Sequence, residues 1–160
     1  MIYDFLENKG VLINPAEKKL VDVGSGDGKN GAEFESHGWG VAYIEKKNGL
    51  DATTYDFPQE EFGLAIARNS LPFMEEKQLD VISKIFNTLK KGGYFYGTIF
   101  GKEDPWAKEG IITALDFDDV RNYLKQIGFK IVWEGEEKGI GKSMKGDLKN
   151  WHIFKFLCQK

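Results

Sequence analysis

The chain has one cysteine, Cys158, among its 160 residues. A lone thiol cannot form an internal disulfide, which excludes a disulfide-stapled secreted scaffold and fits a reducing compartment. No stretch approaches the roughly 20 apolar residues of a membrane span. The opening "MIYDFLENKG" carries acids early and has no apolar run of signal-peptide length, so a soluble, cytoplasmic protein is expected. An excess of positive charge is also lacking. The 22 Lys and Arg stand against 25 Asp and Glu, a formal net charge of −3. Nothing global therefore points to nucleic acid or to an anionic membrane. No His/Cys/Asp cluster has zinc spacing, so no metal site is expected. There is no internal repeat and no low-complexity segment. What remains is ordinary for a globular protein: 41% hydrophobic and 29% charged residues. The length suits one domain, 1–160, with one sizeable core.

The hydrophobic pattern alternates between two periods. Residues 2–9 read as a short helix with Ile2, Phe5 and Leu6 on one side, and "NPAEKK" as a turn. "KLVDVG", "GVAYIE" and "GLAIAR" read as buried strands, ending at Gly24, Glu45 and Arg68. "GKNGAEFESHG" reads as a helix ending at Gly38. Residues 75–91 form the clearest helical pattern, with Leu79, Ile82, Ile85, Phe86 and Leu89 at three-and-four spacing. "GGYFYGTIFG" follows as a strand. "DFDDVRNYLKQIGF" is a helix capped by Asp116 or Asp118 and stopped by Gly128. "KIVWEGE" and "NWHIFKFLCQ" are two late strands joined by a loop over 137–149. Alternating strands and helices predict an α/β fold, a Rossmann-like doubly wound sheet with a C-terminal antiparallel hairpin.

The stretch "LVDVGSGDGKN", residues 20–30, carries the chemistry. Gly24, Gly26 and Gly28 fall at the carboxyl end of the first strand, where ligands of open α/β sheets bind. Glu45 ends the next strand, about 20 residues further on, where an acid can accept hydrogen bonds from both hydroxyls of a ribose. A plain glycine turn is the alternative for the glycines alone; the acid makes the pair point to a nucleoside. The spacing is not that of a dinucleotide site, because Lys29 holds the third glycine position. Asp22 and Asp27 also put negative charge where a pyrophosphate would lie. No Gly-Lys-Ser/Thr follows, which excludes a phosphate P-loop. A ligand with a cationic amine tolerates those acids better, and S-adenosylmethionine combines an ammonium group, a sulfonium and a ribose.

"LVDVGSGDGKN" resembles motif I of the class I S-adenosylmethionine-dependent methyltransferases. "FGLAIARNSLPFM", a helix, and then "LKKGGYFYGTIFG" are similar to the later core of that family, with Lys91-Gly92-Gly93 matching its "pGG" element. Three stretches look most like the small bacterial tellurite-resistance type: "GKNGAEFESHGWGVAYIE", "EDPWA" before "ITALDFDDV", and "NWHIFKFLCQK", where Asn150 stands in place of a frequent His. The chain departs from the family after Glu45. Only "KKNGLDATTYDFPQEEFG" separates it from the next strand, too little for the usual helix and strand. The fold is thus expected to be shortened between the second strand and the family's fourth, with as few as six strands and "GLDATTYDF" as a loop or a short edge strand.

The resemblance implies S-adenosylmethionine as cofactor and methyl transfer to a small-molecule acceptor, since no added domain for a large substrate is evident. A module that binds the cofactor without turnover, acting through a protein partner, is the rival reading. The resemblance implies cofactor contact by Asp22, Gly24, Ser25, Gly26, Asp27, Gly28 and Asn30, ribose contact by Glu45, and adenine contact by Asp51 and Ala52. Arg68, Asn69 and Ser70 would pass beside the cofactor or the substrate. His152 and Trp106 are the candidates for the catalytic side. His152 is either a structural strand histidine or a substrate-binding or proton-accepting group. Trp106 either covers a pocket or simply packs. The run "EEKGIGKSMKGDLK" reads as solvated surface, and Cys158 as a small core residue. Monomer and homodimer both stay open, because a deleted edge strand would leave backbone free to pair with another copy.

Overall fold

The computed structural model describes residues 1–12, 18–143 and 146–160. The expected turn at "NPAEKK" lies largely outside the described residues. Among the described residues five α-helices and six strands follow one another: α1 (Ile2–Asn8), β1 (Lys19–Val23), α2 (Lys29–Glu35), β2 (Gly40–Ile44), β3 (Phe62–Ala67), α3 (Gln78–Thr88), β4 (Leu89–Phe100), α4 (Pro105–Lys108), α5 (Phe117–Ile127), β5 (Lys130–Lys142) and β6 (Leu148–Gln159). The strands form one sheet in the order β2-β1-β3-β4-β6-β5. β1 to β4 run parallel, and β6 pairs antiparallel with both β4 and β5.

Strand alternation divides the core between the two faces of the sheet. Leu20, Leu64, Ile66, Tyr96 and Leu157 pack with Ile2, Leu6, Phe34 and Trp39 from α1, α2 and the turn after α2. Val21, Val23, Ala65, Phe95, Phe156 and Cys158 face the other way and pack with Val81, Ile82 and Ile85 of α3 and Val120 and Leu124 of α5. Helices thus cover both faces, as the doubly wound reading requires. After β2 the chain returns to the far side of β1. The order therefore reverses between β1 and β3, the crevice position where open α/β sheets bind ligands.

No helix or strand fills 49–61. The segment after a 3-10 turn at Lys46–Asn48 is a series of turns. Ala52 and Phe57 enter the core, and two carbonyls of the segment are satisfied from α3: Lys84 Nζ donates to Thr53 O at 2.8 Å and to Tyr55 O at 3.2 Å. Side chains thus supply the polar partners that a helix would have supplied to itself. The expected helix over 75–91 is shorter. Glu75 is non-helical at φ 51°, and Leu89 turns extended to pair with Phe62. The expected loop over 137–149 is largely strand, because β5 and β6 continue pairing with each other as far as Lys142 and Leu148.

Candidate functional site

The carboxyl ends of β1, β2 and β3 meet at the glycine stretch. Gly24 (φ 69°) is packed so closely that a Cβ there would stand 2.3 Å from Cβ of Ser70. Ser70 follows β3, is buried, and donates Oγ to the Val23 carbonyl at 2.6 Å. Gly24 therefore lets the end of β1 pack closely on the turn after β3 at the reversal point. Gly26 (φ 60°) is different: nothing lies within 4 Å of where its Cβ would be. Its open side leaves backbone accessible to a ligand. Its N–H donates to Glu45 Oε2 at 2.7 Å, while Lys47 N–H donates to Oε1 at 3.3 Å. The acid and the glycine loop are thus brought into direct contact. Gly24 N–H is held by the Ile44 carbonyl at 2.7 Å, and Gly28 N–H by Ser25 O at 2.9 Å, so the loop itself is a fixed cradle.

Asp22 is 1% exposed and accepts from Gly31 N–H at 3.2 Å. Among the described residues it has no cationic partner. Burial, which the Gly31 N–H only partly offsets and the nearby Glu45 and Asp27 charges reinforce, raises its carboxyl to about 6. Asp27 is exposed and pairs with Lys29 at 2.5 Å; the Lys29 ammonium and N–H hold its carboxyl below the usual range. Asn30 Oδ1 accepts from Arg68 at 3.2 Å, tying the start of α2 to the end of β3. Asn69 is left-handed (φ 57°) and is locked by Thr98, which accepts from its N–H at 2.6 Å and donates to its Oδ1 at 3.0 Å. A non-glycine residue in that conformation marks a turn held by its surroundings. Asp51 Oδ1 accepts from the Thr53 N–H and hydroxyl at 2.9 and 2.7 Å, and its other oxygen lies 3.5 Å from Lys46. The Thr53 donors, more than Lys46, hold its carboxyl low. Ala52 beside it is 5% exposed.

Two residues outside the expected set shape this place. A Cβ on Gly31 would stand 2.3 Å from the Tyr43 ring. Gly31 thus gives helix-on-strand packing of the kind the third glycine gives in a dinucleotide motif, shifted two positions past Lys29. The signal was the fourth glycine in "GSGDGKNG".

The catalytic-side candidates lie farther along the same sheet edge. His152 is 8% exposed; its Nε2 lies 2.9 Å from Glu136 Oε1 across β5–β6, and its ring packs where a Cβ on Gly101 would be. The Glu136 carboxyl is held low chiefly by this contact. His152 therefore occupies a cross-strand pair and makes no contact with the glycine loop among the described residues. Trp106 stands in α4, which Asp104 caps by accepting from Trp106 N–H at 3.0 Å. Trp106 meets Phe73 and Trp151 at ring separations of 5.9 and 5.6 Å. A cleft of about 650 Å³ opens beside it, between the loops after β3 and β4 and the base of the β5–β6 turn. Lys149 on its wall is not the solvated surface residue that the charge run suggests. Its side chain is 4% exposed and pairs with the fully buried Asp104 at 2.6 Å. Aromatic neighbours explain the burial, since its ammonium lies 3.6 Å from the Trp106 ring centre and 3.9 Å from that of Trp151.

No protein-family model matches the chain, and no curated protein sequence does. Solved structures do match in fold. A SAM-dependent methyltransferase from Methanosarcina mazei aligns over 89% of this chain and 92% of its own, with 18% identity and a TM-score of 0.66. An S-adenosylmethionine-dependent methyltransferase from Mesorhizobium loti aligns over 96% of each chain, with 13% identity and a TM-score of 0.69. The 4+2 cyclase SpnF aligns over 99% of this chain and 79% of its own, with 15% identity and a TM-score of 0.69. The fold of this chain is the Rossmann-like fold of such methyltransferases, and that fold also carries at least one cyclase.

Proposed function

We propose that the protein is an S-adenosylmethionine-dependent methyltransferase acting on a small molecule. The observation that carries this reading is the 2.7 Å contact between the Glu45 carboxylate and Gly26 N–H. It sets a ribose-type acid against the one motif glycine whose Cβ direction is open, at the reversal point of the sheet. The residues present fit the cofactor. Asp22 is a buried carboxylate without a cation among the described residues, as an ammonium group would require. Glu45 faces the loop, Asp51 and Ala52 stand beyond β2 on the adenine side, and Arg68, Asn69 and Ser70 close the β3 side. When bound, S-adenosylmethionine supplies a methyl group already activated on sulfonium, so the protein mainly aligns the acceptor and excludes water. Ser25, Asp27, Gly28 and Asn30 complete the loop around it. The pairing of His152 with Glu136 argues for a positioning role for that residue, and Trp106 belongs to the acceptor side. The narrower likeness to the tellurite-resistance type rests on the quoted sequence stretches alone, and a cytoplasmic location on composition. No helix among the described residues is long and apolar enough to cross a membrane.

Glu45→Ala should weaken S-adenosylmethionine binding by about 1–3 kcal/mol, the cost of losing hydrogen bonds at a partly buried polar contact. Calorimetric titration reads this directly, and wild-type affinity in that variant would reject the ribose assignment.

A further inference from the structure

Thr98 lies in β4 on a stretch otherwise made of Phe, Tyr, Ile and Gly, and it is 1% exposed. A valine would match its shape and its preference for strands, so packing does not explain the hydroxyl. Both bonds of that hydroxyl go to Asn69. It accepts from the Asn69 N–H at 2.6 Å and donates to Asn69 Oδ1 at 3.0 Å. The opposite orientation of the Asn69 amide would leave the hydroxyl proton buried without an acceptor among the described residues. One oxygen thus clamps the backbone and the side chain of Asn69 together. Register brings the two residues to the same level: Ala67, the last residue of β3, pairs with Gly97, so Thr98 stands beside the turn that follows.

From Asn69 the constraint passes to the glycine loop. Asn69 is left-handed at φ 57°, a conformation that costs free energy in a non-glycine residue unless its surroundings impose it. The next residue, Ser70, is thereby set against β1. Its Oγ donates to the Val23 carbonyl at 2.6 Å, and its Cβ occupies the place where a Cβ on Gly24 would be. Gly24 N–H is in turn held at 2.7 Å by the carbonyl of Ile44, the neighbour of Glu45. On the other side of Asn69, Arg68 donates to Asn30 Oδ1 at 3.2 Å, so the same turn also holds the start of α2. Thr98 makes no hydrogen bond to the glycine loop among the described residues, and its influence there runs through Asn69 and Ser70.

We propose that Thr98 is a positioning residue for the cofactor cradle. Its hydroxyl holds Asn69 left-handed, and Ser70 carries that constraint to Val23 and Gly24 and keeps Gly26 N–H set against Glu45. The ligand in this proposal rests on the methyltransferase reading, but the coupling from Thr98 to the loop is readable with no ligand present. A purely local role, the satisfaction of one N–H, would leave the loop unchanged when the hydroxyl is lost.

The test compares Thr98→Val, which keeps the shape and removes the hydroxyl, with Thr98→Ser, which keeps the hydroxyl. Val120→Ala, a core truncation in α5 that leaves every bond of the turn in place, controls for lost stability. Hydrogen exchange of the free protein reads the loop, and calorimetric titration with S-adenosylhomocysteine reads the cradle. Thr98→Val should speed exchange at Gly24 and Gly26 and weaken the ligand about tenfold, as the loss of two hydrogen bonds at a buried turn implies. Thr98→Ser should do neither, and Val120→Ala should lower the melting temperature and do neither. Ser70→Ala cuts the next step while keeping its Cβ against Gly24, so it should speed the same two amides, and it carries the test alone if Thr98→Val does not fold. Unchanged exchange at those amides in Thr98→Val or in Ser70→Ala, or an equal change in Val120→Ala, would overturn the proposal. The two readings fail separately. A wild-type protein that binds no S-adenosylhomocysteine, with the glycine amides still loosened in Thr98→Val, would sink methyl transfer and leave the coupling standing. Ligand bound equally by wild type and Thr98→Val, with exchange unchanged, would sink the coupling alone.

Discussion

Asp22 is buried with a single N–H donor among the described residues, and that ties its ionisation to folding and to binding. Its folded value of about 6 lies above the ordinary 3.8. Below the ordinary value both folded and unfolded chains hold the proton. Between about pH 4 and 6 Asp22 keeps a proton in the folded chain that it has lost in the unfolded one, so its contribution to stability falls as pH rises. The loss is complete above 6 and is on the order of 3 kcal/mol. Asp22→Asn keeps an acceptor for Gly31 and removes the titration, so thermal melts of that variant should lack this decline. S-adenosylmethionine should reverse the sign. An ammonium beside Asp22 favours the ionised form, so affinity should rise about tenfold between pH 5 and 7 in the wild type and stay flat in Asp22→Asn. A flat wild-type profile would remove Asp22 from the ammonium site. At this scale the link between the strand-end acid Glu45 and the glycine loop was legible, because residue type and spacing announce it. Lys149 was not, because nothing in a run of Lys, Glu and Gly says that Trp106 and Trp151 will fold over one of its members.

The segment after Glu45 shows what replaces an element that is missing. Lys84 donates from α3 to the Thr53 and Tyr55 carbonyls, and Glu60 and Glu61 N–H donate to the Asn87 and Thr88 carbonyls at 3.0 and 2.8 Å. The turn carrying Asp51 and Ala52 is thereby fastened to the end of α3. Lys84→Met removes both side-chain bonds and should cost about 1–3 kcal/mol. Hydrogen exchange should quicken over residues 51–61 and leave β1 and β3 protected; unchanged exchange there would mean that Phe57 and Ala52 hold the segment by packing alone. The shortage of residues after Glu45 was legible by counting, since no helix and strand fit in that length. The end of α3 was not. The helical period runs through Leu89, but pairing of Leu89 with Phe62 overrides it. The hairpin was underestimated for a related reason: 136–148 carries almost no apolar alternation, since β5 and β6 there pair only with each other.

Across the whole molecule, the sheet places two different surfaces along one edge. The glycine cradle sits where the strand order reverses, and the aromatic cleft lies beyond β4 where the antiparallel hairpin begins. Ser70 to Phe73 joins them, with Phe73 N–H donating to Ser70 O at 3.1 Å. Alternating periods made the doubly wound sheet readable from sequence, and the final pair of strands made the antiparallel edge readable. The cleft was not, because it is assembled from three loops far apart in the chain. The fold alone does not decide the reaction, since SpnF, a cyclase, shares it. The decisive measurement is calorimetric titration of the folded protein with S-adenosylmethionine and, separately, with S-adenosylhomocysteine. Binding of both in the micromolar range is the predicted result. Binding of neither would contradict the account and leave the glycine cradle as a turn that holds the sheet together and no ligand.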